Sequence, residues 1–129
     1  LYLERSNMTV NQLFKTVLSL MFCPLKDGDE YKEAFLNILN MKLAECFMIN
    51  NALREFKEKD ALKSAQRVED FSSMLEYEDE IINALPYGIS AILLVDDDTT
   101  GMANVYRNDY AQMIADCSKA FETEAKGMM

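Results

Sequence analysis

The chain has 129 residues and carries 22 acidic against 13 basic side chains, a formal charge of −9. That balance repels phosphate and disfavours duplex DNA as a ligand, while the absence of any histidine removes the commonest general base and the commonest transition-metal ligand. Half of the residues are hydrophobic, yet no apolar run approaches the roughly 20 residues that span a bilayer, so one non-membrane domain with its own core is expected.

Residues 4–8, Glu-Arg-Ser-Asn-Met, can be back-translated as GAG AGG AGT AAT ATG, a purine-rich ribosome site followed by a start codon. The expectation is that Met8 opens the protein and that residues 1–7 are an over-extended or disordered leader. No Arg-led, Ala-cleaved leader pattern stands there, which sets the expectation of a chain that is not secreted.

Thr9 is placed to cap a first helix reaching Phe22. Val10, Leu13, Phe14, Val17, Leu18 and Met21 fall on one stripe of it. Cys23-Pro24 and Lys26-Asp27-Gly28-Asp29 supply turn chemistry after it. A second helix is predicted from about Glu30 to Arg54, with Tyr31, Ala34, Phe35, Ile38, Leu39, Cys46, Phe47 and Leu53 on its buried face. Leu36, Leu43 and Met48 widen that face, which predicts a central helix. Asn37, Asn40, Asn50 and Asn51 mark its polar positions.

Glu55–Ser73 is polar, with sparse apolar residues at Phe56, Leu62, Val68 and Phe71. It reads as a long arm, and loops of that length in a compact domain are usually functional. Because these apolar residues are so few, the arm is expected to lie against an adjacent subunit rather than its own bundle. Lys57, Lys59, Lys63 and Arg67 are the candidates for a local basic patch, but acidic neighbours interleave them and a solvated mixed-charge segment is the expectation.

A third helix begins around Glu76–Glu80, where acidic side chains suit the positive end of the helix dipole. Leu85-Pro86-Tyr87-Gly88 predicts a local break, since proline lacks an amide and crowds the previous turn. Ile89–Val95 is expected to be buried nearly all round. A fourth helix runs from about Gly101 to Glu124, lined by Met102, Val105, Tyr106, Tyr110, Met113, Cys117, Ala120 and Phe121. The fold class is therefore all-α: a small four-helix bundle with a long polar arm between the second and third helices. Residues 8–125 form its single domain and residues 126–129 a flexible tail.

The chemistry-bearing patterns are weak. Asp96, Asp98 and Thr100, with Gly101, match the first positions of a calcium loop, but the bidentate carboxylate that should close it falls at Arg107, a cation. The plainer expectation is an acidic linker. Glu76, Glu78, Asp79 and Glu80 lack the histidines of a dimetal bundle and read as a solvated helix start. The three cysteines, Cys23, Cys46 and Cys117, are far apart and read as incidental or buried thiols of a reducing compartment. No catalytic residue, metal or cofactor is expected. Of the nine methionines, Met128 and Met129 lie beyond the last periodic residue, Phe121, and these three are the candidate partner-docking residues.

Four stretches in this order carry a family resemblance: TVNQLFKTVLSLM, then EAFLNILNMKLAECFMINNALRE, then after the charged arm YEDEIINALPYGISAILLVDDD and TTGMANVYRNDYAQMIADCSKAFE. Their order resembles the head–tail adaptor (connector) proteins of tailed bacteriophages. The resemblance implies a structural virion protein at the head–tail junction, assembled in the host bacterial cytoplasm. It would form a homo-oligomeric ring below the capsid portal protein and meet a tail or stopper protein on its other side. DNA would pass through the channel without specific binding, a role that suits an acidic chain. The alternative is a non-virion helical binding module or phage assembly chaperone.

Overall fold

A computed structural model of the chain describes residues 8–96 and 101–127, with the side chains of 8–96 and 101–119. The described residues form an all-α bundle. Its helices are α1 (Val10–Leu20), α2 (Lys32–Glu45), α3 (Phe47–Phe56), α4 (Asp79–Leu93) and α5 (Met102–Gly127), with short 3-10 turns at Leu25–Asp27 and Asp29–Tyr31. The expected leader, residues 1–7, and the linker residues 97–100 lie outside the described part.

α1 forms as its sequence dictates. Thr9 closes a capping box with Gln12: the Gln12 amide donates to Thr9 Oγ1 at 3.1 Å, and the Thr9 amide donates to Gln12 Oε1 at 2.9 Å. Val10, Leu13, Phe14, Val17 and Leu18 are buried along one stripe. Its end is a Schellman motif, with the Cys23 amide on Leu18 O (2.9 Å) and the Phe22 amide on Ser19 O (3.1 Å). The residue in the left-handed position is Phe22, at φ 58°, where a side chain costs on the order of 1 kcal/mol that glycine avoids.

The expected second helix is two helices. At Cys46, with ψ near 2°, the chain changes direction, so that α2 packs on α4 while α3 packs on α5. The redirection corrects the expected buried face. Phe35, Ile38, Leu39, Leu43, Cys46 and Leu53 are in the core as expected, but Ala34 is exposed and Met48 is 82% exposed. Asn50, read as an outer polar position, is fully buried.

α4 is continuous through Pro86, which corrects the predicted break at Leu85–Gly88. A proline inside a helix costs about 3 kcal/mol. Ile81, Leu85 and Ile89 on the two sides of it are fully buried, and each contributes roughly 1.5–3 kcal/mol of burial that needs an unbroken helix. Gly88 is not a breaker either: a Cβ there would stand 2.8 Å from the Tyr110 ring. It is the contact point at which α5 presses on α4.

The arm, residues 57–78, has no helix, and its one ladder contact is an isolated antiparallel bridge between Thr9 and Met74. It does not need a neighbour to hold it. Asn40 holds Val68 at both backbone groups, donating to its carbonyl (2.9 Å) and accepting from its amide (2.8 Å). Asn51 treats Leu62 in the same way, at 3.0 and 2.8 Å. Gln66 spans the arm itself, donating to Met74 O (2.8 Å) and accepting from the Glu76 amide (2.9 Å). The amides of Val10 and Asn11 reach Ser73 O and Phe71 O. Carboxamides thus replace the missing ladder partners of an irregular segment.

The apolar residues of the arm point inward as well. Val68 is buried, Leu62 packs on the core, and Phe71 completes an aromatic cluster with Phe14 (5.3 Å between centroids) and Phe35 (5.8 Å). The expectation that Leu62, Val68 and Phe71 cannot hold the arm locally is therefore corrected. Phe56 at the end of α3, 47% exposed, and Met74, 44% exposed, stay largely open.

Candidate interaction surfaces

The most heavily charged locality is built where α3 ends and α4 begins. α3 also closes with a Schellman motif: the Lys59 amide reaches Arg54 O (2.7 Å), the Glu58 amide reaches Glu55 O (3.0 Å), and Glu58 takes φ 62°. That turn carries Lys57 and Lys59 to Glu78, the N-cap of α4. The Glu78 carboxylate accepts from Arg54 (3.1 Å), Lys57 (3.1 Å) and Lys59 (2.8 Å), and its own amide donates to Asn50 Oδ1 at 2.7 Å. Its side chain is 0% exposed. Burial pushes its carboxyl up, but the hydrogen bonds and charges of Lys59 and Lys57 outweigh that and hold it below the ordinary value of 4.5. Lys57 also reaches Glu80 at 2.7 Å.

This arrangement corrects the solvated helix start expected for Glu78, and the solvated segment expected for Lys57 and Lys59. Lys63 and Arg67 are exposed as anticipated. Chemically the cluster is a clasp. A carboxylate held by three cations spends three of its roughly four acceptor sites on them, and its charge is already matched within the fold. Among the described residues no group of three or more His, Cys, Asp or Glu side chains could hold a metal ion. Of the calcium-loop candidates, Asp98 and Thr100 lie outside the described residues.

A second polar knot ties α5 to the joint between α2 and α3. Tyr110 donates to Glu45 at 2.6 Å, its hydroxyl lies 3.2 Å from Cys46 Sγ, and Lys42 stands over its ring at 4.4 Å. Burial, with the neighbouring Cys46 and Glu45, pushes the Tyr110 hydroxyl far above its ordinary value. Burial likewise raises the Cys46 thiol. Neither group is poised as a nucleophile at neutral pH. Cys46 and Cys117 are buried free thiols and Cys23 is half-buried.

The clefts lined in part by α5 include two that carry charged side chains. One, of about 300 Å³, is lined by Leu53, Glu80, Asn83, Met113, Asp116 and Cys117. The other, of about 260 Å³, has Lys42 and Arg107 beside Gly88, Ala91, Ile92, Val95 and Tyr110. Both sit at the small end of ligand pockets, which run from about 300 to 1,000 Å³; each suits a side chain or a fragment.

The apolar surface lies elsewhere than the sequence placed it. Of the candidate docking residues, Phe121 falls within α5 but its side chain is outside the described ones, as are Met128 and Met129 entirely. The exposed large apolar side chains include Phe22, Leu25, Ile92, Val95 and Val105. Tyr106 donates to Leu20 O at 2.8 Å, and Ser90 Oγ lies 3.5 Å from Val17 O. These contacts bring the end of α1, the last turns of α4 and the start of α5 together at one end of the bundle, and Ile92 and Val95 line the cleft beside Lys42 and Tyr110. Ile92, Val95 and Val105 were expected inside. Helical spacing could not separate them from core residues, because a stripe at the end of a helix can outrun the neighbour that covers it.

No protein-family model, curated protein or solved structure matches this chain. Among the described residues, no helix is long and apolar enough to cross a membrane.

Proposed function

We propose that this protein is a structural subunit of a tailed-phage particle, a head–tail adaptor. It forms a ring below the portal protein, receives a tail or stopper protein on the opposite side, and lets DNA pass without gripping it. In this reading its work is assembly, not catalysis. The observation that supports it best is the apolar end, where Phe22, Leu25, Ile92, Val95 and Val105 are exposed on an otherwise acidic bundle. Apolar side chains grouped on the surface mark a place where another molecule binds. The order of helices and arm that carries the family resemblance is the second support, and a net charge of −9 suits a channel through which phosphates must slide.

The test is mass spectrometry of purified particles from a lysate in which the protein is expressed. The adaptor reading expects it in mature particles in several copies and in heads that carry a portal. Recovery in the soluble fraction alone would overturn it, and would favour an assembly chaperone or another non-virion binding module.

A further inference from the structure

The cleft beside α5 that holds Lys42 and Arg107 sets two cations over apolar surface in a chain of formal charge −9. Arg107 is exposed and makes no ion pair with any described residue. The positions three and four residues from it along α5 are Ala103, Asn104, Tyr110 and Ala111, so its own helix offers no acid on that face. Asp109 stands two residues on, off that face. Asp96, just after Val95, is exposed and reaches no described cation. Lys42 is the opposite case. Its side chain is only 14% exposed, with the ammonium 4.4 Å from the centre of the Tyr110 ring and 3.3 Å from Glu45.

Glu45, which also accepts the Tyr110 hydroxyl at 2.6 Å, balances the charge of Lys42. Two cations against this one carboxylate leave a surplus of one positive charge, that of Arg107. The other wall of the cleft is apolar. Ala91 is buried, Ile92 is 40% and Val95 60% exposed, and Gly88 lets the Tyr110 ring lie close against α4. Isoleucine and valine standing in water return little to the fold. A ligand with an apolar body would cover them and bring its own charge to Arg107.

We propose that this cleft binds a monoanionic carboxylate carried on a short apolar body, with Arg107 and Lys42 on the carboxylate and Ala91, Ile92 and Val95 against the body. One surplus positive charge selects a monoanion; a dianionic phosphate would leave a charge unmatched beside Glu45. A guanidinium takes a carboxylate through two parallel hydrogen bonds. At about 260 Å³ the space suits a body the size of one large side chain or a medium-length acyl chain. A free carboxylic acid and an apolar residue at the carboxyl end of a polypeptide share this chemistry. The site needs no ring and no particle, so it goes beyond the adaptor role.

Titration of the full, isotope-labelled chain with sodium octanoate, followed by amide NMR, tests it. Saturable shifts should gather at the amides of Gly88, Ile92, Val95, Arg107 and Tyr110. The Kd should be on the order of 0.1–1 mM, the range open to a ligand of about ten non-hydrogen atoms. Arg107→Gln, at an exposed position that leaves the fold alone, should weaken binding about tenfold, the loss of a charge-assisted hydrogen bond. Octanamide should be weaker by about the same factor, and octyl phosphate no tighter than octanoate. A second arm separates the two sources. Acetyl-Gly-Leu with a free carboxylate, binding as well as octanoate, assigns the site to a chain end; failure of that peptide where octanoate binds assigns it to a free acid. Absence of saturable shifts, shifts centred elsewhere, binding unchanged in Arg107→Gln, or tighter binding of octyl phosphate overturns the proposal. Recovery of the protein in particles, or its absence from them, bears on the adaptor role alone.

Discussion

Glu78 and Gly88 show how much one residue decides. Removing the anion at Glu78 would leave Arg54, Lys57 and Lys59 together with no common partner. Breaking a buried pair from one side costs about 3–5 kcal/mol; here the three cations reach water, so Glu78→Gln should cost about 2–4 kcal/mol at neutral pH, read by urea denaturation. The sign of the pH effect follows from the direction of the shift. The carboxyl is held below 4.5 in the fold, so its contribution is complete above that value and drains away as pH falls through the lower, folded value. Glu80 is lowered too, its burial outweighed by Lys57, and acts in the same sense. The gap between wild type and Glu78→Gln should therefore narrow on acidification, and a gap that widens would contradict the clasp. At Gly88 two effects compete. Alanine gains about 1 kcal/mol of helix propensity, but its Cβ would meet the Tyr110 ring at 2.8 Å, and the Glu45 and Cys46 contacts stop that ring from yielding. Overpacking costs typically about 1–3 kcal/mol, so Gly88→Ala should lower the thermal midpoint. A raised midpoint would mean that the ring moves freely.

Among elements, the arm is the one whose character changed most between sequence and fold. Its composition is that of a solvated loop, and its composition is not what orders it. Asn40 and Asn51 each satisfy one donor and one acceptor of the arm backbone, and groups left unpaired there cost about 1–3 kcal/mol each. Asn40→Leu should cost about 2–3 kcal/mol in denaturant unfolding and speed hydrogen exchange at the Val68 amide. The Leu62 amide, held separately by Asn51, should keep its protection. Fast exchange at both positions in the wild-type chain alone would show that the arm is not pinned by its own bundle. α4 shows the converse case, a local breaker overridden by burial on both sides of Pro86.

For the whole molecule, the acidic bundle divides into a stitched core and open ends. The core from α1 to the first half of α5 is closed by the aromatic cluster, the clasp and the Tyr110 knot. In the sequence, residues 122–129 follow Phe121, the last residue of the apolar stripe of α5. Their deletion should leave helicity per residue and thermal stability nearly unchanged. If Phe121, Met128 and Met129 face a portal, many weak tails on one ring multiply into firm attachment, and a deletion ending at Phe121 should abolish joining to portal-bearing heads. Normal joining by the shortened protein would move the docking surface to the apolar end around Phe22 and Val105.

What the sequence determined by itself is what depends on neighbours in the chain: the helical class, the Thr9 cap, the stripe of α1 and the acidic start of α4. These follow from spacing and from hydrogen bonds that span a turn or less. The arm, expected over Glu55–Ser73, runs instead over residues 57–78. The tertiary structure alone decided what depends on residues far apart in sequence. Asn40 is an ordinary outer polar residue until Val68 arrives, Gly88 reads as a breaker until Tyr110 presses on it, and Glu78 reads as solvated until α3 ends in a turn that brings two lysines to it. Periodicity tells which side of a helix is apolar; it does not tell where the covering neighbour stops, and so it places Ile92, Val95 and Val105 in the core while the fold leaves them exposed.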